Sequence, residues 1–137
     1  MEDFKISVKG FVAKDGKFLV VKRTMNDAHK PGVWEPPGGR LDNGESPFLG
    51  LKREIKEETN LDVEILNPLS VEHFVREDGQ KITMIFFLCR ALNGNVKLTE
   101  EHSDFEWVEF NSVKSKLNDF FHPSIDNFTK LDMEKLV

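Results

Sequence analysis

Residues 53–60 read REIKEETN, which sets Glu54, Glu57 and Glu58 beside Arg53 within six positions. On a helix the three acids stand at i, i+3 and i+4, so they crowd one flank and repel one another by roughly a few tenths of a kcal/mol per pair. The same spacing presents hard oxygen donors on one surface, the donor type that Mg2+ or Mn2+ selects. A lysine- and glutamate-rich helix also has a plainer explanation as a solvated face. The three acids alone leave both readings open.

Either reading needs a helix that holds the acids in place. At about 100° per residue, Phe48, Leu51, Ile55 and Thr59 share one narrow sector, expected to face the core. Glu54 and Glu58 lie beside it with Glu57 just beyond, while Lys52 and Lys56 fall on its other side. Gly50 shares the acidic flank, a helix-interior choice costing about 0.5 to 1 kcal/mol against alanine. Close approach of a loop or ligand would explain it, and so would simple tolerance. Ser46 suits the N-cap and Pro47 the first helical position.

The flanking elements are marked by turns. FKISVKGFVAK and KFLVVKR surround Asp15-Gly16, and LDVEILNPLSVEHFVRE and QKITMIFFLCRAL surround Asp78-Gly79, so two hairpins are predicted. Segment 24–43, with its PGVWEPPGGR run, is expected to be mostly loop. ITMIFFLC is apolar on both alternating faces, which suits a central strand covered on each side. DFEWVEF predicts a further short strand, and 112–117 and 124–136 carry helical patterns. This order predicts an α/β domain with a mixed sheet between helical layers, one domain over residues 1–137.

Composition excludes several classes. With 39% hydrophobic and 31% charged residues among 137, the chain reads as an ordinary globular protein, and no apolar run reaches the ~18 residues of a membrane span. Its start, MEDFKISVKG, lacks the basic and apolar stretches of a signal peptide, so a cytoplasmic location is expected. A net charge of −5 gives no general basic field for a polymeric nucleic acid, while a small anionic substrate stays compatible because metal ions can reverse the local sign. Cys89 is the single cysteine, which rules out an intramolecular disulfide and suits a buried, inert thiol.

Spacing decides between the two readings of the acids. Gly39 is followed after five residues by Glu45, after seven more by Arg53-Glu54-Ile55, then by Glu57-Glu58 and Leu61. At average residue frequencies these positions would coincide on the order of 10⁻⁸ times per start site, too rarely for a chance helix face. The chain resembles the Nudix hydrolases, whose box reads G-x(5)-E-x(7)-R-E-U-x-E-E-x-G-U with U aliphatic. One position departs from it: Asn60 stands where the family has glycine. Asparagine is the ordinary residue best able to take the same left-handed turn.

The resemblance covers roughly residues 6–110 and implies an α/β/α sandwich that holds divalent cations, Mg2+ or Mn2+, against the diphosphate of a nucleoside diphosphate derivative. By analogy, Glu54, Glu57 and Glu58 form the metal shell with the Gly39 carbonyl, and Arg53 pairs with Glu45 to tie loop to helix. The general base is Glu54 or a later acid, of which Glu101 in TEEHSD best fits the family segment; an exposed loop acid is the competing view of Glu101. Arg23 and His29 resemble substrate-facing positions of MutT-like members, and Arg40, directly after Gly-Gly, could meet a phosphate or the leaving group; the alternative for all three is an exposed surface position. Trp34 offers a base platform or a core contact, and Asn118, Asp119, Phe120 and Phe121 offer base recognition or a capped, core-packing helix end. His73, His102 and His122 lack metal-ligand spacing and receive no role.

The markers of other branches are missing: proline after the box occurs only at Pro68 until the tail, and tyrosine is absent from the chain. The expected activity is therefore that of a MutT-like (d)NTP pyrophosphatase releasing nucleoside monophosphate and pyrophosphate, with ADP-ribose or NDP-sugar hydrolysis as the alternative and a non-catalytic nucleotide-binding module behind both. A monomer or homodimer acting on a small nucleotide is expected.

Overall fold

Asp15 and Gly16 both take positive φ, 51° and 79°, and close the turn between β1 (Phe4–Lys14) and β2 (Lys17–Arg23). This is the geometry that matches the twist of paired strands. The computed structural model describes residues 4–137. Its remaining elements are β3 (Trp34–Glu35), β4 (Gly38–Arg40), α1 (Pro47–Thr59), β5 (Val63–Val75), β6 (Lys81–Ala91), β7 (His102–Glu109), α2 (Val113–Lys116) and α3 (His122–Lys130). Short 3-10 turns occupy Asp119–Phe121 and Met133–Leu136.

The main sheet runs β3-β2-β1-β6-β5, with β4 pairing β1 and β7 pairing β2. Only β1 and β6 pair in parallel; the other pairs are antiparallel, so the sheet is mixed as expected. β6 lies inside the sheet and its residues alternate between two cores. Phe86 and Leu88 join Phe11, Phe18, Phe121 and Phe128 on the face covered by the C-terminal helices. Phe87 and Cys89 join Val8, Val12, Leu51 and Ile55 on the face covered by α1. Cys89 is fully buried, and burial pushes its thiol up to about 12, which leaves it inert.

Gly10 sets how closely α1 approaches the sheet. A Cβ there would come within 2.8 Å of Ile55 Cδ1 and 3.2 Å of Cys89 Sγ. The helix begins as its sequence requires: Ser46 Oγ accepts from the Phe48 and Leu49 amides, with Pro47 in the first turn. It ends at Asn60, which takes φ 68° and donates its amide N–H to the Lys56 carbonyl. Its side chain also reaches the Asn95 carbonyl at 3.3 Å. Asparagine thus supplies the left-handed turn.

Two expectations need correction. Phe48 is 54% exposed rather than core-facing, because the first turn of α1 overhangs the sheet; its ring still touches Phe87 at 5.5 Å between centroids. Segment 24–43 is mostly loop as expected, and the short β3 and β4 within it join the sheet. The helical pattern at 124–136 breaks after Leu131, where Asp132 takes φ 52°. Among the described residues no helix is long and apolar enough to cross a membrane.

Candidate active site

β4 runs antiparallel to residues 7–9 of β1 and brings Gly38 and Gly39 against α1. Gly38 has φ 144°, and a Cβ there would collide with the Val8 carbonyl, so only glycine fits. Its N–H donates to Glu58 Oε1 at 3.1 Å. Glu54 lies over the next residue: a Cβ on Gly39 would sit 2.6 Å from Glu54 Oε2. The two glycines therefore form a floor on which two carboxylates rest. Gly50 has a similar explanation, since a Cβ there would meet Leu41 and approach Glu45 Oε1 within 2.9 Å. Close approach of the loop requires it.

Arg53 organises the acids. Its Nε and Nη2 donate to Glu45 Oε2 and Oε1 at 2.7 and 2.8 Å, a two-point bond between loop and helix. Nη1 reaches Glu54 at 3.2 Å and Glu57 at 3.1 Å. This contact holds Glu45 down to about 2, helped by the Asp42 amide. Glu54 and Glu58 move the other way. Burial raises both above the usual carboxylate range, against the opposing pull of Arg53 on Glu54 and Lys9 on Glu58. Glu58 is 5% exposed, more buried than a position beside the core sector implied, while Glu57 faces solvent.

Glu54, Glu57, Glu58 and Gly39 could hold a hard cation through their oxygens. Two half- to fully buried carboxylates with raised affinity for protons mark negative charge that a cation would neutralise, so the donor set fits such an ion. Among the described residues, no group of three or more acidic, histidine or cysteine side chains is already gathered as a metal cluster, and Arg53 spans the acids instead.

A second group of charges lies beneath the box loop. Glu35, 2% exposed, receives Lys9 Nζ at 3.1 Å and His102 Nε2 at 3.0 Å, and pairs with Arg23 Nε at 3.0 Å. Lys9 Nζ also donates to the Gly38 carbonyl at 3.2 Å. Burial alone would raise Glu35, yet Lys9, His102 and Arg23 outweigh it and hold the carboxyl at about 2. His102, given no role above, thus anchors the start of β7 to the strand that leads into the box. Sequence reasoning missed this network; the only signal was charge inside otherwise apolar stretches, Lys9 in ISVKGFV and Glu35 in VWEPP.

The substrate candidates converge. Arg23, His29 and Arg40 line one cavity of about 170 Å³ that also touches Gly39. Arg23 pairs with Asp27 at 2.8 Å, His29 with Glu77 at 3.2 Å, and Arg40 donates to the Gln80 amide oxygen at 3.0 Å. Lys30, Phe74 and Arg76 complete the walls and were not singled out from sequence. Glu101 does not line this cavity: its side chain is exposed and makes no hydrogen bond or ion pair among the described residues, although its carbonyl accepts from Thr24 N–H at 3.2 Å.

The remaining candidates make packing, capping or surface contacts. Trp34 packs on the helix-side core beneath Lys116, whose Nζ lies 3.9 Å from the ring centroid. Asn118 caps the following turn by accepting from Phe120 N–H, Phe121 is buried and Asp119 is fully exposed. His73 bonds Thr83 and His122 meets the Lys114 and Leu117 carbonyls.

The chain is similar to known proteins in sequence and fold. The model of the NUDIX domain matches residues 4–130. The chain is 30% identical over 134 residues to Nudix hydrolase 5 of Arabidopsis thaliana, covering 97% of this chain and 43% of that protein. It is 32% identical over 108 residues to the nucleoside triphosphatase NudI of Escherichia coli, covering 72% of this chain and 77% of that protein. It therefore spans less than half of the plant relative. Among solved structures, the MutT protein from Methanosarcina mazei Go1 superimposes with a TM-score of 0.84 at 26% identity, over 94% of this chain and 95% of that one. A family match over residues 4–130, on a fold that gathers Glu45, Glu54 and Glu57 around Arg53, leads to one conclusion: the chain belongs to the NUDIX domain family.

Proposed function

We propose that the protein hydrolyses the diphosphate linkage of nucleoside diphosphate derivatives and that its preferred substrates are (d)NTPs, cleaved to nucleoside monophosphate and pyrophosphate. The observation that carries this reading is the adjacency of two sites at Gly39: the Glu54–Glu58 carboxylates on one side and a cation-lined cavity on the other. The triphosphatase name of the NudI relative points the same way.

Glu54, Glu57, Glu58 and the Gly39 carbonyl would hold Mg2+ or Mn2+, which when bound lowers the pKa of a water and neutralises charge on phosphate oxygens. Arg53, gripping Glu45, keeps loop and helix in register so that the acids stay aligned. Arg23, His29 and Arg40 contact the substrate from the cavity walls. A carboxylate, Glu54 or Glu101, removes the water's proton as its oxygen bonds to phosphorus. The bond from that phosphorus to the bridging oxygen breaks, and the leaving phosphate departs with the electron pair. The setting is cytoplasmic and the partner a small nucleotide.

An assay of (d)NTPs, ADP-ribose, NDP-sugars and dinucleoside polyphosphates with Mg2+ tests this reading. Pyrophosphate release from (d)NTPs is expected; sugar phosphate release alone would move the assignment to the NDP-sugar class. Tight nucleotide binding without turnover on any substrate would make the chain a binding module.

A further inference from the structure

The cavity beside Gly39 is far more basic than the protein around it. The chain carries 24 acidic against 19 basic residues, yet Lys9, Arg23, Lys30, Arg40 and Arg76 line this one hollow and no acid does. Three of these cations are already neutralised: Lys9 by Glu35, Arg23 by Asp27 and Glu35, and Arg76 by Asp78 at 2.7 Å. Two are not. Among the described residues the Arg40 side chain meets only the neutral amide of Gln80, and Lys30 forms no ion pair.

Lys30 is held in place despite this. Asp27 Oδ2 accepts the backbone N–H groups of both His29 and Lys30, at 3.0 and 2.7 Å, which fixes the loop under the side chain. The ammonium then lies over two rings, 5.4 Å from the Phe74 centroid and 5.7 Å from that of Phe120. Such contacts offset only part of the cost of a half-buried charge. Burial and the neighbouring Lys9 and Arg23 lower its proton affinity, with the pull of Glu35 and Asp27 opposing them. A fixed, partly desolvated cation in a cavity, with no carboxylate paired to its ammonium among the described residues, is a site awaiting an anion.

We propose that Lys30, with Arg40, binds a negatively charged group of the substrate beyond the two phosphates of the scissile linkage, and so selects triphosphates over substrates that end in a neutral sugar. The inference rests on the hydrolase reading above and deepens it. The scissile diphosphate would take its countercharge from the cation that Glu54, Glu57 and Glu58 would hold, so the spare cations answer a further phosphate. A neutral hexose or ribose in their place would leave both charges uncompensated and partly dehydrated, which disfavours that class.

The test compares ATP with ADP-ribose, and UTP with UDP-glucose, in wild type, Lys30→Gln and Lys30→Arg. Wild type is expected to prefer the triphosphate. Lys30→Gln should cut that preference about tenfold or more, mainly through KM, as expected for loss of one charge contact, and Lys30→Arg should restore most of it. Equal losses on both substrate classes, or no loss, would overturn the proposal. Equilibrium binding of the same four nucleotides, measured by calorimetry in EDTA, separates the two levels. If wild type turns over nothing but Lys30→Gln still weakens triphosphate binding selectively, the hydrolase reading falls and the assignment of Lys30 stands. If binding is unselective in wild type, the assignment of Lys30 falls whatever the turnover.

Discussion

Arg53 and Glu45, eight residues apart, meet through two parallel hydrogen bonds of 2.7 and 2.8 Å, and the same guanidinium reaches Glu54 and Glu57 with its remaining nitrogen. One side chain thus fixes the distance between box loop and helix while it screens the acids from one another. Lysine cannot reproduce that fork. Arg53→Lys should weaken Mg2+ activation by about 10- to 100-fold, read as a shift of the Mg2+ titration of activity with the circular dichroism spectrum unchanged. An unshifted titration would remove Arg53 from this role.

Gly39 is predicted to be needed for activity more than for stability. An added Cβ meets the far end of Glu54 at 2.6 Å, and a flexible carboxylate can turn away from it. Gly39→Ala should therefore lower kcat at least about tenfold and shift Tm by no more than a few degrees. Gly10→Ala, whose Cβ meets Ile55 and Cys89 in the core, should do the reverse and destabilise by about 1 to 3 kcal/mol. Calorimetry and turnover on the two variants would show whether the effects separate.

Glu35 gives the fold a dependence on acid pH. Its carboxyl is held at about 2 in the folded protein against an ordinary 4.5, so its contribution is complete above the ordinary value and fades as pH falls toward 2. The shift corresponds to on the order of 3 kcal/mol. Glu35→Gln should be clearly less stable than wild type at pH 7, because Lys9 then lies buried without a countercharge. The gap should narrow as pH drops from 4.5 to 2. Urea unfolding at pH 7 and pH 3 measures it, and a gap that stays constant would contradict the assigned ionisation.

Asn60 tests how strictly the box needs glycine. It already takes φ 68°, so Asn60→Gly gains conformational ease but loses the contact to Asn95 and increases the freedom of the unfolded chain. The expected change in stability is within about 1 kcal/mol, with activity nearly unchanged. A large rise in kcat would mean that Asn60 perturbs the acids rather than merely ending the helix.

These residues also show what could be read from sequence. The Gly39-to-Leu61 spacing, the Asp15-Gly16 turn, the Ser46 cap and the left-handed Asn60 are written in residue types at fixed offsets along the chain, and each was legible. Glu35, Lys9 and His102 were not. They stand 26 and 67 positions apart and meet only because β3, β1 and β7 converge in the folded sheet. β3 and β4, of two and three residues, are too short for an alternating pattern and exist because longer neighbours offer them an edge. Phe48 was misplaced because helical periodicity cannot reveal where the underlying sheet stops. Lys30 looked like any loop lysine until Phe74 and Phe120 were brought around it.

The central claim is that the acids of α1 serve Mg2+-dependent cleavage of a nucleotide diphosphate linkage. It is tested most directly by pyrophosphate release from (d)NTPs with and without Mg2+, in wild type and Glu57→Gln. Glu57 is exposed and its side chain hydrogen-bonds only Arg53 among the described residues, so the substitution should leave the fold intact. The account predicts turnover that requires Mg2+ and falls at least about 100-fold in the variant. A Glu57→Gln protein that keeps most of its activity, or wild-type turnover indifferent to Mg2+, would contradict it.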